Sequence, residues 1–247
     1  MGAVVSTAGE WHRHWRRLPV SGLDDIIGNG TCLILAPHPD DESLGSGGLI
    51  AACVEAGRLP LVVVLTDGAG SHPRSRAFPP ARLRAVRAEE VRTAVGCLGL
   101  AAERVVMLNQ PDTAAPVRGP GFEAVVAALA GLIEPDCTTL LAPWRHDPHC
   151  DHKAASIIAS AVAAHAVIRH VAYPVWGWTL SAETLVPGMP APGFRFDVGR
   201  FLPAKRRAIA AHRSQYGGLI TDDPTGFHLP PELLAVFDQP FETFLLP

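Results

Sequence analysis

A chain of 247 residues, 48% hydrophobic and 18% charged with a net charge of −3, has the composition of a folded globular protein. That length buries a sizeable core without disulfide or metal staples. The charge balance leaves no basic field for nucleic acid or an anionic membrane surface, and no stretch approaches the roughly 20 apolar residues of a membrane span. Cys32, Cys53, Cys97, Cys137 and Cys150 are scattered and form no CxxC pair, and most sit inside apolar runs, the pattern of buried thiols in a reducing compartment. Charges and two tryptophans stand near the start, where a signal peptide needs an apolar segment, so a cytoplasmic location is expected.

Residues 1–30 read as an irregular or short helical lead-in closed by GNG at 28–30. TCLILAP (31–37) is a continuous apolar run with β-branched content, which fits a strand buried on both faces. After an acidic turn, GGLIAACVEAG (47–57) reads as a helix ending at Gly57. LPLVVVLT (59–66) is a second buried strand, followed by a long polar loop and the amphipathic helix ARLRAVRAEEVRTAVGCLGL (81–100). RVVML supplies a third strand, and GFEAVVAALAGLIEP (121–135) a helix stopped by Pro135. CTTLLAPW (137–144) is a fourth strand, then come the loop RHDPHCDH, the helix KAASIIASAVAAHAV and the strand HVAYPVW. Strands alternating with helices predict an α/β fold with a mostly parallel sheet and right-handed crossovers. We read 1–247 as one domain, with 176–247 a less regular C-terminal extension.

In such a sheet, loops leaving the carboxyl ends of the strands gather along one edge, where ligands bind. The turn at 38–42, the loop at 67–80 and the loop at 145–152 all leave in that direction. Of the eleven histidines, His12, His14, His165, His170 and His228 read as surface or satisfied core residues. His38, His149 and His152 differ, because each lies beside an aspartate in a loop after a buried strand. Two imidazoles and a carboxylate with one open position form the common ligand set of a catalytic zinc. His38 and Asp41 stand three apart across a tight turn, and HCDH (149–152) is the best supplier of the third ligand, with His146 a competitor. Helix capping by Asp40, Asp41 and Glu42 is the plainer reading of the acids alone. The second His/Asp loop favours a metal site.

PHPDDE (37–42) and HCDH (149–152) resemble the two signature motifs of the LmbE-like / PIG-L family of zinc-dependent N-deacetylases. The resemblance extends over roughly residues 30–215, with RAEE (87–90) and AHRSQ (211–215) inside it. It implies a Rossmann-like three-layer α/β/α fold. It also implies hydrolysis of an N-acetyl or other N-acyl group on a small-molecule amino-sugar conjugate, such as an N-acetylglucosaminyl conjugate. One Zn2+ per chain, or another divalent metal, would be held by His38, Asp41 and His152. Asp40 would be the general base toward the activated water, and His149 would steady the oxyanion. Asp151 would orient an imidazole, that of His149 being the natural partner. Arg87, supported by Glu90, and His212 would face the substrate. Cys150 stands where the family more often has proline.

No nucleic-acid or membrane partner is expected, and a homo-oligomer is left open. Specificity is expected from loops at 68–80, 109–120 and 176–194, with SHPRSR (71–76) a candidate basic lip. A metallo-phosphoesterase is the alternative enzyme, although such enzymes often use two metals and convergent acids are few here. A non-catalytic nucleotide-binding Rossmann module is the other alternative. It would need a glycine fingerprint in the first strand–helix turn, where this chain has acids that repel a pyrophosphate.

Overall fold

The computed structural model describes residues 4–247. The lead-in comprises β1 (Val5–Thr7), α1 (Ala8–Trp15) and α2 (Leu23–Ile27). Thr7 opens α1 with a capping box: its hydroxyl accepts from Glu10 N, and the Glu10 carboxylate accepts from Thr7 N at 2.7 Å. Trp11 and Trp15 of α1 are buried against Trp144, which fastens the lead-in beside the carboxyl end of the sheet.

The sheet begins with β2 (Thr31–Ala36), which feeds α3 (Asp41–Glu55). Then β3 (Leu61–Thr66) leads to α4 (Pro80–Cys97), β4 (Val105–Gln110) to α5 (Gly119–Ala130), and β5 (Cys137–Pro143) to α6 (Cys150–Ala166). After β6 (Arg169–Tyr173) come β7 (Leu185–Pro187), β8 (Gly193–Asp197), α7 (Leu202–Ala211), α8 (Arg213–Tyr216), α9 (Pro231–Phe237) and β9 (Phe241–Leu245). Seven strands form the central sheet in the order β4-β3-β2-β5-β6-β9-β8, while β1 and β7 pair as a small antiparallel ribbon. From β4 to β6 all neighbours are parallel; β9 and β8 add antiparallel at the edge.

Alternation along the strands sorts the core into two layers. Ile34, Ala36, Val62 and Val64 face residues of α3, α4 and α7, whereas Leu33, Leu35, Leu61 and Val63 face α5 and α6. The result is the three-layer α/β/α arrangement, Rossmann-like and mostly parallel.

Several boundaries depart from the sequence reading, α6 among them, which starts at Cys150 rather than Lys153 and so takes Asp151 and His152 into its first turn. α3 starts at Asp41 rather than Gly47, because Pro39 and Asp40 end the strand's exit and the acids then sit in the first turn, where a helix favours negative charge. α5 stops at Ala130, before Pro135. The stretch from 176 supplies β8 and β9, so it completes the sheet as well as wrapping it.

α3 lies unusually close to its neighbours. A Cβ at Gly45 would land on the Tyr173 ring, and one at Gly48 on Val198. Tyr173 cannot retreat easily, since it is fully buried and its hydroxyl donates to Leu35 O at 2.8 Å. On the same side, Glu242 of β9 accepts from Gly48 N (2.7 Å), Leu49 N (2.9 Å) and the buried Lys205 ammonium (2.6 Å). Two amides in the middle of a helix are thus held by a side chain from another strand. No helix among the described residues is long and apolar enough to cross a membrane.

Gly45→Ala is expected to destabilise the protein by ~1–3 kcal/mol, through overpacking against Tyr173. Urea unfolding checks it: an unchanged midpoint would mean that α3 and Tyr173 do not meet as described.

Candidate metal centre and the cavity around it

Residues 37–40 turn the chain from β2 into α3. Pro37 O is tied to the end of β3 by Thr66 N and Thr66 Oγ1, both at 2.9 Å. Asp40 then adopts φ +146°, a conformation that costs a non-glycine residue roughly 1–3 kcal/mol and persists only where neighbours enforce it. Two groups do so: Arg87 Nη2 donates to Pro39 O at 2.7 Å, and Glu42 accepts from Asp40 N at 2.9 Å. The kinked turn sends the Asp40 and Asp41 side chains to different partners. Asp40 meets Arg87 Nη2 at 3.1 Å, and Asp41 turns to the imidazoles.

One oxygen gathers the centre. Asp41 Oδ2 accepts from His38 N at 2.9 Å and lies 3.2 Å from both His38 Nδ1 and His152 Nε2. The far nitrogen of each imidazole meets another carboxylate: His38 Nε2 is 3.1 Å from Asp151 Oδ2, and His152 Nδ1 is 3.3 Å from Asp147 Oδ1. His152 is fully buried, yet neither of its ring nitrogens is aligned for a hydrogen bond. A buried imidazole nitrogen with no hydrogen bond, converging with a second imidazole on one carboxylate oxygen, is the donor set a divalent cation needs. His38, His149 and His152 each offer a ligand atom within 4.8 Å of the others. The residues fit a metal.

The electrostatics follow from burial and proximity. Burial alone would raise Asp41, but His152 and His38 outweigh it and hold the carboxyl below the usual range. Burial likewise opposes the charge on His152, yet Asp41 and Asp147 lift it to about 9. In His38, burial is outweighed by Asp112, Asp151 and Asp41, which raise it. Asp40 goes the other way: burial pushes it up to about 7, with Arg87 pulling down and Asp41 pushing up. Burial and the two neighbouring imidazoles lower His149, so it is the neutral ring of the group. Its Nδ1 accepts from Asp151 N at 3.2 Å, which caps α6 and leaves the proton on Nε2.

The structure brings together His38, Asp40, Asp41, His149, Asp151 and His152, and sets Arg87 beside them. Four sequence expectations need correction. Asp151 orients His38 rather than His149, because Thr113 N (2.7 Å) and Ala115 N (3.1 Å) hold its carboxylate on the His38 side. His212 does not line the cavity; it is buried behind the turn, its Nε2 on Glu42 Oε1 at 2.9 Å. Glu90 does not support Arg87 but accepts from Ser214 N and Oγ. His146 packs on Trp144 and Trp11, outside the cluster.

Sequence reasoning missed Asp147, Asp112 and Glu42. Asp147 accepts from Val175 N, Gly177 N and His149 N, and so ties the loop that precedes α6 to the chain after β6. Asp112 follows β4 at the same sheet edge as the other loops, which was the available signal.

A cavity of about 640 Å³ opens over the centre. Asp40, Asp41, His38 and His149 line it, with Gly70, Ser71 and Pro73 from the loop after β3, Asp112 and Thr113 from the loop after β4, and Trp176. These fall in the three loops expected to set specificity. Thr225–Leu229 form a further wall that the sequence did not announce, and the exposed His228 belongs to it.

Comparison with known proteins gives three findings. The family profile "PIG-L: GlcNAc-PI de-N-acetylase" matches residues 33–163, just over half of the chain. The chain is similar to a 2'-N-acetylparomamine deacetylase of Streptomyces fradiae, 28% identical over 85% of this chain and 76% of that protein. It is also similar to a 1D-myo-inositol 2-acetamido-2-deoxy-alpha-D-glucopyranoside deacetylase of Actinosynnema mirum, 28% identical over 74% of this chain and 80% of that one. Among solved structures, the N,N'-diacetylchitobiose deacetylase of Pyrococcus horikoshii superposes with a TM-score of 0.63, covering 94% of this chain and 91% of that one at 18% identity, a likeness of fold.

The Glu42–His212 pair behind the turn has a stability signature. His212 is raised because, against burial, Glu42 and then Asp40 favour its charge. The stability it contributes is complete below the ordinary imidazole value and is lost as pH rises through the raised value in the fold. His212→Leu is expected to cost ~3 kcal/mol at pH 6, by stranding a buried carboxylate, and less at pH 9. Denaturant midpoints at the two pH values test it; an equal loss at both would remove the charge pairing.

Proposed function

The chain belongs to the PIG-L family, and from that premise we propose that it is a metal-dependent hydrolase removing an N-acetyl group from an amino-sugar conjugate. The observation that carries the reading is the meeting of His38 Nδ1 and His152 Nε2 on one Asp41 oxygen at the floor of a cavity, with Asp40 next in the chain.

His38, Asp41 and His152 hold the metal, zinc by the donor set. When bound, it supplies a Lewis acid that acidifies water and polarises an amide carbonyl. Asp40 takes the proton from the attacking water and returns it to the departing amine. Its value of about 7, set first by burial, suits a group that must both accept and release a proton near neutrality. Arg87 keeps the Asp40 carboxyl oriented and limits its rise. His149, neutral with its proton on Nε2, donates to the carbonyl oxygen as negative charge gathers there. Asp151 and Asp147 hold the two ligand rings from behind.

Amine release from an N-acetylglucosaminyl conjugate, with metal content measured alongside, tests the reading. The protein is expected to carry about one zinc per chain. His152→Ala should lose the metal, whereas Asp40→Asn should keep it and lose ~10²–10⁴-fold in kcat. Full turnover in metal-free protein would refute the mechanism. Arg87→Met should move the acid limb of the kcat/KM profile to higher pH, because Asp40 then lacks its nearest cation. A limb that stays in place would separate Arg87 from the proton transfer.

A further inference from the structure

A second cavity, of about 460 Å³, lies outside the metal centre. It shares no lining residue with the first, although one turn serves both: within Trp176–Thr179, Trp176 lines the metal cavity and Trp178 lines this one. Its wall is drawn from the end of α1, from α9 and from the edge strands β8 and β9.

Two arginines stand in this wall against aromatic rings. Arg195 Cζ is 4.7 Å from the Phe241 ring centroid, and Arg16 Cζ is 5.7 Å from that of Trp178, both within cation–π range. Arg195 is held firmly. Its Nε donates to Leu18 O at 2.9 Å, its backbone N donates to Pro19 O at 2.8 Å, and its backbone O accepts from Ser21 N at 3.0 Å. Its two terminal nitrogens keep their donors, the fork that grips a carboxylate with two parallel hydrogen bonds. Elsewhere arginines are already matched with acids: Arg58, Arg84, Arg104, Arg200 and Arg206 each pair with one. Among the described residues Arg16 and Arg195 pair with none, and Glu232, the one acid in the lining, is exposed and bridges to neither.

The rest of the wall is largely apolar, with Trp178, Phe241, Ala235 and Val236. Trp15 lines it too, and its indole Nε1 is buried without an acceptor. The lining holds no histidine or cysteine, so nothing in it points to a metal or a nucleophile. Cations laid on rings beside an apolar wall match a flat, apolar ligand that ends in an oxyanion, and the volume falls within the range of small-molecule sites.

We propose that this cavity is a second binding site, which takes an aromatic carboxylate of about two fused rings. The ring lies on the aromatic wall, the carboxylate sits on the Arg195 fork, and Arg16 adds the second positive charge. The site is independent of the deacetylase reading.

The probe is naphthalene-2-carboxylate, titrated calorimetrically into the zinc-loaded full chain, with 2-naphthylmethanol as its neutral match. The carboxylate is expected to bind with a Kd of about 10–100 µM, and the alcohol ~10-fold or more weaker. Arg195→Met should weaken the carboxylate ~10-fold or more, and Arg16→Gln ~3-fold. Glu232→Gln should tighten it ~2-fold, because a like charge leaves the lining. A carboxylate can also bind zinc, so His152→Ala, expected to lack the metal, separates the two sites: the probe should bind this variant as it binds the parent. Hydrogen exchange should slow across 232–243 and stay unchanged across 38–42 and 149–152. Should urea unfolding show that Arg195→Met has lost the fold, Arg16→Gln and Glu232→Gln, both at exposed side chains, carry the test through their opposite signs. No measurable binding, equal affinity for acid and alcohol, binding that disappears with the metal, or indifference to these charge changes overturns the proposal.

Discussion

Asp41 Oδ2 is the point on which the rest of the molecule depends. A carboxylate buried this deeply is costly unless opposed by charge or hydrogen bonds. Its relief comes from two loops more than 100 residues apart, which the parallel sheet brings side by side. β2 and β5 are neighbours with Ile34 opposite Leu141, so the chain leaving each strand emerges at one edge. From that oxygen an alternating line runs both ways: Asp151, His38, Asp41, His152, Asp147. Each acid faces the ring beside it within 3.3 Å, and the outer two are anchored by backbone amides of other loops. The sheet supplies the meeting place, and the acids make the meeting stable.

Asp40 shows how backbone and chemistry are set by one contact. Arg87 reaches the turn from α4 and holds Pro39 O, which helps to keep Asp40 in its unfavourable conformation. The same nitrogen touches the Asp40 carboxylate and moderates the rise that burial imposes. Two adjacent acids therefore sit in opposed environments. Asp41 is held charged between imidazoles and is suited to bind. Asp40 is poised near neutrality and is suited to exchange a proton.

Much of this was legible in the sequence because parallel strands are continuous apolar runs and their exits are where polar residues collect. His38, Asp41 and His152 stand in such exits, and their ligand-like identities marked them. What was not legible depends on pairings across the fold. Asp151 follows His149 closely in sequence, so His149 was the natural partner; amides of the 113–115 loop turn it to His38 instead. His212 was expected at the substrate from the family resemblance, but only packing reveals that it lies between α7 and α8 and backs Glu42. Asp147 was present in the quoted loop with nothing to separate it from a turn-forming aspartate. The wall at 225–229 lies in a proline- and glycine-containing stretch without periodicity, and pattern reading has no hold there.

Glu242 adds a constraint on the order of assembly. The helix that carries Asp41 is fastened at its middle by a side chain of β9, with Lys205 balancing that carboxylate. Translation delivers His38, Asp41, Asp147 and His152 well before either of them. An emerging chain thus carries His38, Asp41 and His152 long before it carries the brace that steadies the first two. Until β9 docks, Asp41 sits on an unbraced helix, and a fixed arrangement of the three side chains belongs to the finished fold.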